Sequence, residues 1–158
     1  MGTRSRIGLQ LKDNSVVSVY CHYDGYPEFN GRVLREFYNT KEKASDLING
    51  GDMSCTWTNA GWNNETLPKT GPLYYTMRNE TLESNAPQLY KDLNEFMVAA
   101  DDNYGAEYTY HFVNGEWVCH KIDSRSRHLV KQVEIPACLL YTSPSPRDYA
   151  ASRMPSSA

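Results

Sequence analysis

The chain lacks the features that mark several large classes of protein. No apolar run approaches the ~20 residues that a membrane-spanning helix needs, and the first residues contain no apolar segment long enough for a signal peptide. Lysine and arginine number 16 against 19 aspartate and glutamate, which gives a formal net charge of −3. Because a dedicated nucleic-acid binder needs a concentrated basic surface, this composition argues against one.

Cysteine is also scarce and follows no recognisable pattern. The fourth cysteine, Cys138, belongs to the unusual segment 138–158 discussed below, and the other three, Cys21, Cys55 and Cys119, are widely spaced, which fits neither a disulfide framework nor a zinc motif. Such a set is typical of a reducing cytoplasm. We therefore expect a cytoplasmic protein without a bound cofactor.

Residues 138–158 are unlike the rest of the chain. Back-translation of the stretch Cys-Leu-Leu-Tyr-Thr-Ser can give the transposon end used in short-read sequencing libraries, and the following residues continue into the index-primer and flow-cell segments. We interpret this segment as adapter read-through in a metagenomic reading frame, an artefactual disordered tail. A natural Ser/Pro-rich disordered tail is the alternative. Residues 1–137 are then expected to form a single domain with one modest core.

Alternating apolar residues predict an N-terminal hairpin. In the first strand the apolar positions are Ile7, Leu9 and Leu11, and residues 16–22 repeat the pattern after a turn at 13–15. A three-residue loop pairs Leu11 with Val17 and keeps the apolar side chains on one face. In that register Arg6 and His22 share the opposite face, which we expect to face water.

The remaining pattern predicts helices and a second hairpin. Helices are expected over residues 29–38, over 41–49 with Thr40 as the cap, and from Asn85 to about Gly105. Asn114-Gly115 predicts a type I′ turn that pairs Phe112 with Trp117. Weaker patterns indicate strands at 52–58, 73–77 and 129–135, and a loop at 59–71. The expected class is α+β: antiparallel β-hairpins forming a sheet, with two or three helices packed on one face.

The end of the second strand is where we look for chemistry. A histidine and a carboxylate are the parts of a general base, so His22 and Asp24 are candidate catalytic residues of a small hydrolase or nucleotide-processing enzyme. The plainer interpretation is that Asp24-Gly25 forms a turn in which Asp24 bonds to local backbone amides. No nucleophile or oxyanion donor is tied to the pair by spacing, so we favour the turn.

Anion binding is a second hypothesis for the same region. Guanidinium groups and the free amides of a helix start bind phosphate, and a helix is expected to begin near residues 30–31. The candidate ligand-binding residues are Arg4, Arg6, His22, Asp24, Tyr26 and Glu28. An ordinary solvated strand edge is the alternative.

A metal site is a third possibility, with His22, Asp24 and Glu28 as ligands and His111 or His120 in support. No HExxH or paired CxxC motif accompanies these residues. We therefore expect no metal site.

Two blocks of sequence resemble a family of small bacteriophage proteins that has no assigned activity. The first is Tyr-Cys-His-Tyr-Asp-Gly-Tyr-Pro-Glu at residues 20–28, followed by Gly31 and Gly51-Asp52, and the second is residues 106–117. The resemblance implies an accessory protein that works in the cytoplasm of an infected bacterial cell. We therefore expect a non-enzymatic binder of a host protein or of a small, anionic molecule, and the oligomeric state stays open.

Overall fold

The computed structural model describes residues 2–58, 70–123 and 129–136, and one mixed β-sheet runs through all three ranges. Within them the sheet has eight strands, β1 (Ser5–Gln10), β2 (Val16–Cys21), β3 (Met53–Thr58), β4 (Gly71–Tyr74), β5 (Gln88–Tyr90), β6 (Tyr108–Val113), β7 (Glu116–Asp123) and β8 (Leu129–Val133). The same residues form three α-helices, α1 (Arg32–Phe37), α2 (Lys41–Asn49) and α3 (Leu93–Tyr104). The predicted α+β class is confirmed. Residues 59–69 of the predicted loop and the whole predicted tail lie outside the described ranges.

The strands follow the spatial order β4-β3-β2-β1-β6-β7-β8, and β5 pairs with the outer edge of β2. The hairpins β1–β2 and β6–β7 are antiparallel, as predicted. Two parallel pairings, β1 with β6 and β2 with β3, connect separate parts of the chain into the same sheet. These pairings satisfy backbone groups that would otherwise lie unpaired along strand edges.

The first hairpin has a register two residues away from the predicted one. Leu9 pairs with Val17, where the prediction paired Leu11 with Val17. Asn14 adopts the left-handed backbone conformation, with φ 72°, and a residue in this conformation closes a three-residue hairpin loop. The loop therefore begins one residue earlier than predicted. Because the shift is even, every side chain keeps its predicted face.

The second hairpin has the predicted register. Asn114 and Gly115 both have positive φ, 53° and 83°, as a type I′ turn requires. Phe112 pairs with Trp117 across the strands, and the two rings meet edge to face with centroids 5.3 Å apart. Local turn chemistry and alternation were sufficient to predict this element.

Helices α1 and α2 cover the apolar face of the sheet. Thr40 caps α2 as predicted, its Oγ1 accepting the backbone amide of Lys43 at 3.1 Å. A π-helical turn (Pro27–Gly31) precedes α1, which is therefore shorter than the predicted helix. The largest cluster of buried side chains lies between these helices and the sheet: Ile7, Leu9, Val19, Cys21, Leu34, Ala44, Leu47, Ile48, Met53, Tyr110, Phe112, Trp117 and Cys119.

Helix α3 begins at Leu93, so the predicted start at Asn85 is wrong. The Asp92 carboxylate accepts the backbone amide of Glu95 at 2.9 Å, and the Glu95 carboxylate accepts that of Lys91 at 3.1 Å. This reciprocal arrangement is a strong helix-start signal. The residues just before it form β5 instead of helix, because they pair with β2.

Helix α3 packs on the sheet face opposite α1 and α2. Phe96 and Met97 form a second core with Val16, and Ala100 packs with Ile122 in a third. The prediction of helices on one face therefore holds for α1 and α2 only. Pairing of β5 with β2 carries the chain to the other side and places α3 over the face that was expected to meet water.

The sheet face beneath α3 carries two stacked histidines. His111 is 4% exposed, and its ring lies 5.7 Å from that of His120, with the planes 15° apart. Burial, together with the charge of the neighbouring His120, lowers the pKa of His111 to about 4. Burial also lowers the pKa of His120. His111 is therefore neutral in the folded protein at neutral pH.

We expect the protein to lose stability as pH falls from 6.5 towards 4. In the unfolded chain His111 binds a proton near its ordinary pKa of 6.5, whereas in the folded chain it stays neutral down to about pH 4. Protons therefore favour the unfolded state in this interval, and the stability present above pH 6.5 falls by about 1–2 kcal/mol at about pH 5. Urea denaturation at neutral and acidic pH measures the loss. His111→Gln should show a smaller loss, and an equal loss would contradict the assignment.

The cap of α3 gives a second test. Asp92→Ala should lower the free energy of unfolding by about 1 kcal/mol, because the Glu95 amide loses its acceptor. Asp92→Asn keeps an acceptor at the same position and should lower the free energy of unfolding by only about a few tenths of a kcal/mol. Chemical denaturation of the two variants would compare them. Equal losses in the two variants would show that Asp92 stabilises α3 through its negative charge and not by accepting the Glu95 amide.

Candidate ligand-binding site

The two residues at the centre of the predicted site lie on the same sheet face but in different surroundings. Arg6 is completely buried, whereas His22 is half-buried. The prediction that both face water is therefore wrong for Arg6. Alternation along β1 and β2 correctly predicted the sheet face on which each side chain lies. It carried no information about α3, which covers the part of that face where Arg6 lies.

The guanidinium group of Arg6 is held between a strand and two aromatic rings. Its Nη2 donates to the Ser18 hydroxyl at 2.8 Å and to the Ser18 carbonyl at 3.0 Å, and its Nε donates to the same hydroxyl at 3.2 Å. The central carbon of the group lies 4.2 Å from the centroid of the Tyr104 ring and 5.8 Å from that of Tyr90. These are cation–π distances. Arg6 thus connects β2, β5 and α3, and it is not a surface contact for a ligand.

A partly exposed group of side chains lies beside the buried arginine. We call it the arginine–tyrosine cluster, and its members are Arg4, Tyr20, His22, Tyr75, Arg78 and Tyr104. The Tyr104 ring stacks on the Tyr20 ring with centroids 5.6 Å apart. The Tyr20 hydroxyl lies 2.6 Å from Nδ1 of His22, a hydrogen bond whose direction depends on the imidazole tautomer. The guanidinium of Arg78 lies over the ring of Tyr75 at 4.2 Å.

Positive charge surrounds the imidazole of His22. Burial lowers the pKa of His22, and the nearby charges of Arg4 and Arg78 lower it further. Burial raises the pKa of Tyr20, while the Arg4 guanidinium opposes that rise. Arg78 also forms an ion pair with Glu80, and Arg4 forms a side-chain hydrogen bond with Tyr20. A bound anion would be attracted to these groups and would favour the protonated form of His22.

The other predicted site residues lie on a separate turn. Asp24 has φ 60°, and its Oδ1 accepts the Tyr26 hydroxyl at 3.3 Å, while Glu28 is exposed in the π-helical turn. Among the described residues no hydrogen bond or ion pair joins His22 to Asp24. Nor does Asp24 contribute to the pKa shift of His22. The structure therefore does not bring the predicted catalytic pair together.

Close packing at Gly25 explains the shape of this turn. The Tyr110 hydroxyl donates to the Gly25 carbonyl at 2.6 Å, and the Gly25 amide donates to the Thr3 carbonyl at 2.9 Å. A Cβ atom at Gly25 would lie only 2.7 Å from the Thr3 carbonyl oxygen. The turn thus has a structural role, as the plainer interpretation of its sequence expects, but the Asp24 carboxylate accepts the Tyr26 hydroxyl where that interpretation expected a local backbone amide.

The residues considered for a metal site are distributed over three places. His111 and His120 lie beneath α3, His22 belongs to the arginine–tyrosine cluster, and Asp24 and Glu28 lie on the turn. Across the described ranges no three His, Cys, Asp or Glu side chains are grouped closely enough to hold a metal ion.

The cysteines of the described ranges occupy core positions. Cys21 and Cys119 are buried in the main core, and burial raises the pKa of both thiols to about 12. Cys55 is also buried, and burial likewise raises its pKa. Thiols with such pKa values are poor nucleophiles at neutral pH.

Four members of the arginine–tyrosine cluster were not predicted from the sequence. Tyr20 stands on the same strand face as His22, so alternation could have included it. Tyr104 is the last residue of α3, and Tyr75 and Arg78 lie in a 3₁₀ turn after β4. Nothing in their spacing connects these three residues with β2, because only the folded sheet brings them together.

Comparison of the chain with protein-family models, with curated proteins and with solved structures found no match. The resemblance to bacteriophage proteins therefore stays a prediction based on residues 20–28 and 106–117. No helix in the described part of the chain has the length and apolar character needed to cross a bilayer. The arginine–tyrosine cluster is consequently interpreted from its own geometry.

The positive field at His22 can be measured. Arg4→Gln removes one of the cations that depress the pKa of His22, so this pKa should rise in the variant. An NMR titration of the imidazole signals would follow it. Arg35→Gln is the control, since Arg35 lies on α1 and bonds to the Ile135 carbonyl. An unchanged pKa in Arg4→Gln would show that Arg4 exerts no field at His22.

Proposed function

We propose that this protein is a non-enzymatic binding protein for a small anionic ligand, which the arginine–tyrosine cluster holds. One observation carries the proposal: the half-buried imidazole of His22 is fixed by Tyr20 and lies in the combined positive field of Arg4 and Arg78. The resemblance to bacteriophage proteins adds the expected setting, the cytoplasm of an infected bacterial cell.

The chemistry of the cluster favours a ligand that combines a phosphate with an aromatic group. Guanidinium groups bind phosphate through charge-assisted hydrogen bonds, and Arg4 is placed to donate them. The Tyr104 ring is held between Arg6 and Tyr20, and Arg78 lies over one face of Tyr75. The second ring faces of Tyr20 and Tyr75 are therefore the ones on which a base can stack. Nucleotides are therefore the ligand class to test first.

The surroundings of His22 favour binding over catalysis. A general base needs a partner that orients it and raises its basicity, but its pKa is lowered here, and Asp24 lies on a separate turn. The buried thiols offer no accessible nucleophile. The hydrolase alternative with His22 and Asp24 would require both groups to meet around a bound substrate.

The proposal predicts ligand-dependent stabilisation. A panel of mononucleotides, dinucleotides and inorganic phosphate should contain at least one member that raises the melting temperature of the full chain, because a ligand that binds only the folded state stabilises it. Arg4→Gln should weaken the binding of that member by about tenfold or more, since a hydrogen bond to a charged group contributes about 1.5–3 kcal/mol. Isothermal titration would measure the dissociation constants.

Two controls make the outcome decisive. Arg35→Gln removes an arginine from the opposite side of the sheet and should bind like the unaltered chain. An NMR titration should show the pKa of His22 rising when the ligand is bound. No stabilisation by any member of the panel would contradict the proposal, and a bacterial protein captured in a parallel pull-down would then favour the host-protein alternative.

A further inference from the structure

The two hairpins end at the same edge of the sheet and enclose a groove there. β1 and β6 run parallel, with Leu9 beside Phe112, so the loop after β1 and the turn at Asn114-Gly115 lie next to each other. The linker between α1 and α2 lines the third side of the groove, whose volume is about 650 Å³. We call it the hairpin groove, and its defining residues are Leu9, Leu11, Lys12, Asn39, Lys41 and Phe112.

The hairpin groove has an apolar floor and polar walls. Leu9 and Phe112 belong to the main core and are only 5% and 4% exposed, and Leu11 packs against the same core while it stays partly exposed. Asn39 and both lysines are exposed in the walls. A molecule that lies in the groove therefore contacts apolar carbon beneath it and polar groups on either side.

The charge of the hairpin groove is opposite in sign to that of the whole chain. Its charged lining residues are Lys12 and Lys41, and none of the described aspartates or glutamates lines it. Neither lysine forms an ion pair within the described residues. The chain as a whole has 19 acidic against 16 basic residues. Complementary charges favour association and opposed charges disfavour it, so the groove selects an occupant that carries negative charge.

A second concave surface extends the hairpin groove along α1. Its volume is about 790 Å³, and Asn39, Phe112 and Gly115 line both surfaces. The extension contains apolar side chains and charges of both signs: Trp117, Val133, Ile135, Arg35, Glu116 and Glu134. A site for a small molecule typically encloses most of its ligand within about 300–1,000 Å³. Because the joined surface is larger and its walls are exposed, it suits an elongated chain better than a compact metabolite.

We propose that the hairpin groove binds an extended acidic peptide segment of a partner protein. Carboxylates of the segment pair with Lys12 and Lys41, and its apolar side chains rest on Leu11 and the core residues beneath. The side-chain amide of Asn39 has both donors and an acceptor for the peptide backbone. The groove shares no residue with the arginine–tyrosine cluster, so the proposal does not rest on the proposed function.

Peptide pools of defined composition test the proposal. Short fluorescein-labelled peptides in which Asp or Glu alternates with Leu, Phe or Tyr are compared with matched pools in which Lys or Arg replaces the acids. Fluorescence anisotropy with the full chain should show saturable binding of the acidic pools only. The binding should weaken as the salt concentration rises, because salt screens exposed charges. In NMR spectra the side-chain amide signals of Asn39 should shift when an acidic pool is added.

Matched double variants locate the binding. Lys12→Gln combined with Lys41→Gln should weaken it about fivefold, since each exposed ion pair contributes only modestly. Lys91→Gln combined with Lys121→Gln removes two exposed lysines that do not line the groove and should bind like the unaltered chain.

Three results would overturn the proposal: no binding by any acidic pool, equal binding of the basic pools, or equal losses in the two double variants. Sedimentation velocity covers the remaining occupant. Self-association that Lys12→Gln combined with Lys41→Gln abolishes would assign the groove to a second copy of the chain, and it would overturn the proposal as well.

Discussion

The contacts of the buried Arg6 guanidinium are the interaction on which the packing of β5 and α3 against the sheet depends. Three separate elements meet around it: Ser18 of β2, Tyr90 of β5 and Tyr104 of α3. Each cation–π contact of a desolvated arginine contributes about 0.5–2 kcal/mol, whereas a buried donor left without an acceptor costs about 1–3 kcal/mol. The position of α3 is therefore coupled to how many of the N–H donors of Arg6 have an acceptor.

The partly exposed site is built on this buried contact. Tyr104 lies against Arg6 on one side and stacks on Tyr20 on the other, and Tyr20 in turn holds the imidazole of His22. A chain of rigid aromatic contacts thus connects the interior with the surface. Such preorganisation lowers the entropic cost of ordering side chains when a ligand binds, which suits a binding protein.

The sheet separates two kinds of chemistry by its two faces. The face toward α1 and α2 is apolar and contains the buried cysteines Cys21 and Cys119. The face toward α3 contains Arg6 and the stacked histidines His111 and His120. Because neighbouring residues of a strand point to opposite sides, one sheet separates an apolar core from a mixed one, in which Arg6 and the histidines share a face with the apolar cluster of Val16, Phe96 and Met97.

Local sequence by itself determined the second hairpin, the cap of α2 and the face to which each residue of β1 and β2 points. Asn114-Gly115, Thr40 and the alternation of Ile7 and Leu9 act over a few residues, so their signals are complete in the sequence. Tertiary structure decided that β5 pairs with β2, which excludes the predicted helix start at Asn85, and that Arg6 is covered while His22 remains half-buried. These outcomes depend on contacts between residues distant in the chain, and no short stretch of sequence records which element will return to cover a given face.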